Sequence, residues 1–233
     1  MRVGKKLAPP ATPGVPGNRR MIAHSPASMA LTPGATLPPL LALRAVPPPP
    51  PQARSAMVWG DANVARVAVR TAAEAVSHGV AVAVIDAAMA FEVTAIAAYA
   101  QARRVPPEPF LRHIYIARAF TCYQVATLLC ERLDPLLASQ QVGLVILLGP
   151  CTTFFDENVP FKDAFLLFQR VLGKLEALCA HGPLLLMVQG LDGYRTRRTL
   201  FVRQLVKAVE LGIRVSTVAG RRHVQLVKPR GPG

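Results

Sequence analysis

Residues 59–91, WGDANVARVAVRTAAEAVSHGVAVAVIDAAMAF, carry the clearest indication of the fold. After a short loop it continues with an Ala/Val-rich segment over 62–78 and, beyond Gly79, with an apolar run over 80–85. Alanine favours a helix and glycine commonly follows the last helical residue. A continuous apolar run closed by an acidic residue, here Asp86, is typical of an inner strand of a parallel sheet. The stretch therefore predicts a loop, a helix and a buried strand in that order.

A loop that leads into the N-terminus of a helix is also the layout of the nucleotide-binding P-loop, G-x-x-x-x-G-K-[ST]. In this register Gly60 takes the first glycine, Ala65 the second, Arg66 the lysine and Val67 the hydroxyl residue that contacts the metal. Alanine adds a Cβ where the backbone must approach phosphate, and valine has no hydroxyl. Arginine still binds phosphate, but it is longer and planar where lysine is a point charge. The first glycine and the loop-to-helix layout of a P-loop are therefore present, but most of the residues that bind phosphate and metal are absent.

Apolar strand segments and helical segments alternate through the rest of the chain. The sequence predicts strands at 56–59, 114–117, 143–148 and 184–188, helices at 92–103, 121–139, 160–180 and 199–211, and a hairpin over 214–228 that turns at 219–220. Apolar strands between helices indicate a parallel sheet that is covered on both faces. We therefore expect an α/β, three-layer fold with a C-terminal antiparallel hairpin at the sheet edge.

The net charge of +14 is concentrated at the two ends of the chain. Seven basic residues and no acidic residue precede Asp61, and ten basic residues face two acidic ones from Gly190 onward. Between these ends, ten basic residues face eleven acidic ones. Cationic ends around a neutral middle suit a polyanionic partner, most simply nucleic acid.

The N-terminal residues 1–56 are rich in proline, which is unbroken over 47–51. This composition predicts a disordered basic tail with local polyproline helix. A start of translation at an internal methionine and a targeting segment are the open alternatives. The expected folded domain covers 57–230. No apolar run approaches the roughly 18–20 residues of a membrane span, so we expect a cytoplasmic protein without a membrane partner.

The metal-ligating residue types show no ligand spacing. The four cysteines lack C-x-x-C pairing and the five histidines are isolated, so we expect reduced thiols and no metal site, with zinc or disulfides as the alternative. Asp156, Glu157 and Asp163 are close in sequence, but a solvated loop and a helix cap explain them better than a carboxylate cluster.

Four segments, in this order, resemble the RecA/RadA recombinase family of P-loop ATPases. They are the loop and helix GDANVARVAV, the strand VAVIDAAMAFE, the segment HIYIARAFTCYQ, and the strand VGLVILLGP, which precedes a long helix and PLLLMVQ. The resemblance covers about residues 57–228 and implies a RecA-like core. Members of this family bind ATP and magnesium, hydrolyse ATP and pair DNA strands in filaments.

When the family's catalytic residues are compared with this sequence position by position, most of them are missing. Ala88 stands where the family has the glutamate that activates water, and Gly149 stands where the Walker B aspartate orients magnesium. Only Asp86 and Gln189 keep family-like polar chemistry, and Gln189 matches the glutamine that senses the terminal phosphate. We therefore expect no catalytic residue and no ATP hydrolysis, and leave residual ATP binding open. The vestigial nucleotide site would comprise Gly60, Arg66, Val67, Asp86 and Gln189.

The basic stretch after the last apolar strand corresponds, by the resemblance, to the mobile loop that contacts DNA. An aromatic residue there can stack on a base, and arginines can contact phosphates. The alternative is a set of solvated surface charges. The predicted DNA-binding residues are Tyr194, Arg195, Arg197, Arg198, Arg203 and Lys207.

Together these features favour a non-hydrolysing RecA/RadA-like paralogue. Such a protein would act in DNA repair or homologous recombination by binding DNA, an active recombinase or a second copy of itself. One alternative is a divergent DNA-dependent ATPase that a partner subunit completes. Another is an assembly factor that binds no nucleic acid and uses its Pro-rich tail as a ligand.

Overall fold

In a computed structural model, which describes residues 53–61, 64–191, 197–218 and 221–228, helices flank a seven-stranded sheet. The strands are β1 (Ser55–Gly60), β2 (Ala81–Asp86), β3 (Ile114–Arg118), β4 (Val142–Leu148), β5 (Leu184–Gly190), β6 (Leu211–Val218) and β7 (Arg221–Lys228). The helices are α1 (Ala65–Ser77), α2 (Val93–Ala102), α3 (Pro107–Arg112), α4 (Cys122–Thr127), α5 (Leu133–Gln140), α6 (Phe161–His181) and α7 (Leu200–Ala208). None of these described helices combines the length and apolarity that a membrane crossing requires.

The strands are arranged in the order β3-β2-β4-β5-β1-β6-β7. Every neighbouring pair is parallel except β6 and β7, which are antiparallel. The α/β fold with a C-terminal antiparallel pair is thereby confirmed. The chain leaves β1 and enters β2 three positions away in the sheet, and it later returns to fill the gap with β4 and β5. The carboxyl ends of β2, β4, β5 and β1 consequently lie side by side at one edge of the sheet, which is where open α/β sheets form their binding sites.

Side chains that alternate along each strand divide the interior into two cores. In β1, Val58 belongs to the core under α1, α2 and α3, whereas Met57 belongs to the core under α4 to α7. The same alternation separates Val84 from Ala83 in β2. A strand that is buried on both faces needs apolar residues at every position, and this explains the unbroken apolar runs of the sequence.

The segment predicted as one helix over 121–139 is interrupted. Thr121 does cap its start, where its Oγ1 accepts the N–H of Gln124 at 3.2 Å, but α4 ends at Thr127. A π turn, Leu128–Arg132, then connects it to α5. Pro135, near the start of α5, has no N–H to continue the α-helical hydrogen-bond ladder, and this contributes to the break.

Three further boundaries differ from the predictions. A short helix, α3, lies between the segments predicted at 92–103 and 114–117, and Pro107 occupies its first helical position, where a missing N–H costs nothing. Helix α7 ends at Ala208, three residues before its predicted end, and Gly212 lies in β6, opposite Met57 of β1. Strand β1 begins at Ser55, one residue before the start of the predicted strand. The rest of the tail, over 1–52, and the hairpin turn at 219–220 lie outside the described residues.

Candidate functional site at the carboxyl ends of the strands

The sheet brings three of the predicted nucleotide-site residues to a single edge. Gly60 ends β1 and pairs with Gly190 of β5, so that the adjacent Gln189 lies beside β1. Asp86 ends β2 and pairs with Leu148 of β4. These residues are separated by up to about 130 positions in the chain, yet they share the edge at which parallel strands end.

Gly60 is required by its neighbour in the sheet. A Cβ at this position would lie 1.7 Å from the carbonyl oxygen of Val215 in β6, a distance that no side chain tolerates. The carbonyl of Gly60 also accepts the N–H of Leu191 at 2.7 Å. Close packing of β6 and β5 against the end of β1 thus accounts for this glycine without a bound phosphate.

Asp86 is fully buried, and its carboxylate is occupied by the loop that follows β2. Its oxygens accept the backbone N–H groups of Ala88 and Ala90, both at 3.2 Å, and of Phe91 at 3.0 Å. The Nε of Arg118 lies 3.8 Å from the same carboxylate. Charge-assisted hydrogen bonds of this kind offset the cost of burying a carboxylate. Asp86 therefore shapes the loop over 87–91 in this structure.

Gln189 is also fully buried, and its amide joins two strand ends. Its Oε1 accepts the N–H of Cys151 at 2.8 Å, while its Nε2 donates to Thr152 Oγ1 at 3.2 Å and to the Gly190 carbonyl at 2.7 Å. These bonds hold the turn after β4 against the end of β5. The predicted phosphate-sensing amide is thus satisfied by the protein itself.

The two positions that should carry the base and the metal-binding aspartate are in contact with each other. Gly149 has a left-handed φ of 71° and donates its N–H to Val188 at 2.7 Å. A Cβ on Gly149 would lie 2.6 Å from the Ala88 Cβ and 2.6 Å from Thr152 Oγ1. A side chain at position 149 would therefore meet packed atoms, whereas position 88 carries only a half-buried methyl group. Burial also raises the pKa of the neighbouring Cys151 thiol, which argues against a nucleophile.

The remaining two predicted nucleotide-site residues, Arg66 and Val67, are adjacent at the start of α1 but face different surroundings. Val67 points into the core under α1, where it is 3% exposed, so the position of the metal-binding hydroxyl is a packing position. Arg66, one residue earlier, is exposed. It lines a cleft of about 1210 Å³ between α1 and the segment over 89–95, which comprises the loop before α2 and the first residues of that helix.

The structure divides the predicted DNA-binding residues into different groups. Arg203 and Lys207 are exposed on α7. Arg198 is buried, and its guanidinium donates to the carbonyls of Phe154 at 3.1 Å and Val159 at 2.6 Å, and to that of Asp156. A phosphate contact by Arg198 would require these bonds to break. Tyr194, Arg195 and the side chain of Arg197 lie outside the described residues.

Sequence reasoning missed three arginines that line the same cleft as Arg66. Arg70 lies one helical turn after it on α1, Arg103 follows α2, and Arg118 ends β3. The spacing of four residues between Arg66 and Arg70 was a usable signal, because it places both side chains on one helix face. No local pattern connects these two to Arg103 or Arg118, because only the fold brings them together.

The edge strand β3 is the second feature that the sequence did not reveal. Among the described strands, β3 pairs only with β2, so its other side presents unpaired main-chain groups. An apolar groove of about 270 Å³ is lined in part by β3 residues, and Phe120 and Tyr123, which follow β3 in the chain, are 70% and 51% exposed. The groove is lined by Tyr115, Ile116, Ala117, Leu128, Leu133 and Leu136, together with Arg132 and β2 residues.

The part of the chain that the structure describes contains no group of His, Cys, Asp and Glu residues able to hold a metal ion. No protein-family model matches this chain, and no curated protein sequence matches it either. The resemblance to RecA/RadA proteins therefore stays a prediction that rests on the quoted segments.

Proposed function

We propose that the protein is a non-hydrolysing RecA/RadA-like paralogue that acts in the cytoplasm in DNA repair or homologous recombination. It would do so by binding DNA, an active recombinase, or both. The observation that carries the non-hydrolysing part is the contact between Ala88 and Gly149. By the resemblance, position 88 corresponds to the general base and position 149 to a metal ligand. A Cβ on Gly149 would lie 2.6 Å from the Ala88 Cβ and from Thr152 Oγ1, so no carboxylate side chain fits there, and Ala88 carries only a methyl group.

The loss of several catalytic groups at once argues against a slow but intact ATPase. Phosphoryl transfer depends on positioning and on neutralising the charge of the terminal phosphate, and the metal ion alone is commonly worth several kcal/mol. Every 1.36 kcal/mol or so lost from transition-state stabilisation is a tenfold loss in rate. Val67, Ala88 and Gly149 supply none of the expected groups, and Asp86 and Gln189 are engaged in internal hydrogen bonds.

Phosphate release from ATP tests this part of the proposal. The purified protein with magnesium, with and without single-stranded DNA, is expected to release no more phosphate than a buffer blank. Turnover that a chelator stops and that Arg66→Ala abolishes would contradict it. Turnover that appears only after a recombinase is added, and that requires Arg66, would favour the alternative of an ATPase completed by its partner.

The open edge of β3 supports the part of the proposal that concerns a protein partner. An extended segment can add to an unpaired edge strand through main-chain hydrogen bonds and place side chains in adjacent pockets. Here β3 residues line the apolar groove, and Phe120, two residues after the end of β3, is 70% exposed. Exposed aromatic side chains beside such a groove are typical of interaction sites. We propose that the occupant is an extended segment of an active recombinase from the same cell.

A binding measurement with matched variants tests this surface. The recombinase is immobilised and titrated with the wild-type protein and with Phe120→Ala/Tyr123→Ala, which is expected to bind at least tenfold more weakly. Leu166→Ala removes an equally exposed apolar side chain from α6 and should bind like the wild type. Equal binding by all three proteins would refute the role of the β3 edge. Self-association that the double variant abolishes would instead assign this edge to a second copy of the chain.

A further inference from the structure

The charged residues that line the cleft between α1 and the start of α2 are mainly positive. Four arginines line it, Arg66, Arg70, Arg103 and Arg118, whereas Glu92 is the one carboxylate among its described lining residues. A cleft lined by one sign of charge concentrates its electric field and attracts ions of the opposite sign. The cleft lies on the side of the sheet that α1 and α2 cover, whereas α7 packs on the other side.

Two of the four guanidinium groups are held in place by the protein. Arg103 pairs with Glu74 at 3.1 Å and stacks on the Tyr99 ring, with its Cζ 3.7 Å from the ring centroid. Arg118 lies 3.8 Å from the buried carboxylate of Asp86 and is itself half exposed. Each of these arginines thus has an anchor that fixes its position and leaves part of the group accessible.

The other two guanidinium groups have no such anchor. Arg66 and Arg70 are exposed on α1, and neither forms an ion pair within the described ranges. They are one turn apart, which corresponds to about 6 Å along the helix axis. The first turn of α1 contains no acidic residue that would neutralise them or the positive end of the helix dipole. The cleft therefore combines two arginines that the protein holds in place with two that form no ion pair in the described part of the chain.

We infer that this cleft binds the phosphodiester backbone of a single nucleic-acid strand. Guanidinium groups bind phosphate oxygens in a bidentate manner, and a charged groove that follows the backbone is the usual basis of single-strand binding. At about 1210 Å³ the cleft is larger than most small-molecule sites, which measure roughly 300–1,000 Å³. This favours an extended ligand over a single nucleotide.

Apolar side chains at the cleft favour nucleic acid over an acidic peptide. Met89 and Val93 are 40% and 37% exposed there, and they offer apolar surface to unstacked bases while the arginines contact phosphates. An acidic peptide would satisfy the guanidinium groups but would leave this surface uncovered. The inference rests on the proposed function only in taking nucleic acid as the polyanion for a chain of net charge +14.

Salt-dependent binding of fluorescein-labelled dT20 tests the inference. Anisotropy titrations between 50 and 200 mM NaCl compare the wild type with Arg66→Gln/Arg70→Gln. For single strands each lost phosphate contact lowers the slope of log K against log salt by about 0.7, so the double variant should lose about 1.4. Its affinity at 100 mM NaCl should fall about tenfold. Arg66→Lys/Arg70→Lys retains both charges and should keep most of the slope.

Two matched variants separate this cleft from general charge effects. Arg112→Gln removes an exposed arginine from α3, on the same side of the sheet but outside the cleft, and should change affinity less than twofold. Arg203→Gln/Lys207→Gln removes two positive charges from α7. If it weakens binding while Arg66→Gln/Arg70→Gln does not, the cleft is not the site and DNA binding by the protein still stands.

Competition experiments identify the class of ligand. Poly-glutamate that displaces dT20 as effectively as unlabelled dT20 at equal charge would overturn the inference in favour of an acidic peptide. A duplex that binds as tightly as dT20, with the same loss in Arg66→Gln/Arg70→Gln, would overturn the single-strand assignment. No binding of dT20 by the wild type at 50 mM NaCl would remove both this inference and the DNA part of the proposed function, but not the part that concerns a recombinase.

Discussion

Replacing Gly149 by alanine tests whether the turn after β4 is closed as tightly as the structure indicates. The new Cβ would lie 2.6 Å from both the Ala88 Cβ and Thr152 Oγ1, and 2.9 Å from the Ala88 nitrogen. Ala88 belongs to the loop that Asp86 holds with three backbone hydrogen bonds, so it cannot easily move away. The substitution therefore forces either the turn or that loop to shift.

Two contributions set the size of the effect. A residue with a Cβ in the left-handed region costs about 1–2 kcal/mol, and the φ of Gly149 is 71°. Inserting a methyl group into a packed site costs a further 1–3 kcal/mol or so. We expect Gly149→Ala to lower the free energy of unfolding by about 2–5 kcal/mol, which for a chain of this size lowers the Tm by about 2–4 °C per kcal/mol.

Gly173→Ala is the matched control. Gly173 lies in the interior of α6, where a Cβ would meet nothing within 4 Å. Because alanine favours a helix more than glycine does, this variant should gain about 0.5–1 kcal/mol. The measurement is urea unfolding followed by circular dichroism, with the m-value compared between variants so that a change in midpoint reports stability. A loss below about 0.5 kcal/mol in Gly149→Ala would show that the turn is open, and the structural argument against hydrolysis would then fail.

Three further predictions concern Asp86, Arg198 and Cys151. Asp86→Asn keeps the shape of the side chain but removes its charge and turns an NH₂ group toward backbone donors. It should lower the free energy of unfolding in urea by about 2–4 kcal/mol. An unchanged free energy of unfolding would contradict the role of Asp86 in its loop. Arg198→Ala should cost about 2–4 kcal/mol of stability because three carbonyls lose their donor, whereas Arg203→Ala should leave stability within about 0.5 kcal/mol. Burial raises the pKa of the Cys151 thiol above its usual value, so the native state keeps a proton that the unfolded state loses above about pH 8.5. Stability should therefore fall as the pH rises from 8 to 10, and less steeply in Cys151→Ala; equal slopes in the two proteins would show that this thiol is not the source.

Much of the fold could be predicted because its signal is local. An inner parallel strand needs apolar residues on both faces, so β2, β4 and β5 are visible as apolar runs, and glycine or proline marks their ends. The interruption between α4 and α5 was missed because helix-forming residues continue through Leu128–Arg132, while the single Pro135 was read as part of the helix. The length of α7 was overestimated because Leu211 and Gly212 join β6 through pairing with β1, which lies about 155 residues earlier in the chain.

For the candidate site, the sequence predicts which functional groups are present or absent, but not how they are bonded or buried. Residue types alone show that positions 67, 88 and 149 carry no hydroxyl or carboxylate. They do not show that Asp86 and Gln189 already have hydrogen-bond partners, because those partners come from loops whose conformation depends on the whole sheet edge. For the same reason Arg198 and Arg203 look equivalent in the sequence, although one is buried against three carbonyls and the other is exposed.

Residue types and their spacing are enough to predict the alternation of strands and helices, the uneven distribution of charge, and the missing catalytic groups. The three-dimensional arrangement is needed to see which charges are satisfied and which remain accessible. Arg118 meets Asp86, and Arg103 meets Glu74, across about 30 residues of chain. Side-chain burial and pairing depend on contacts between distant segments, and the order of strands in the sheet creates those contacts.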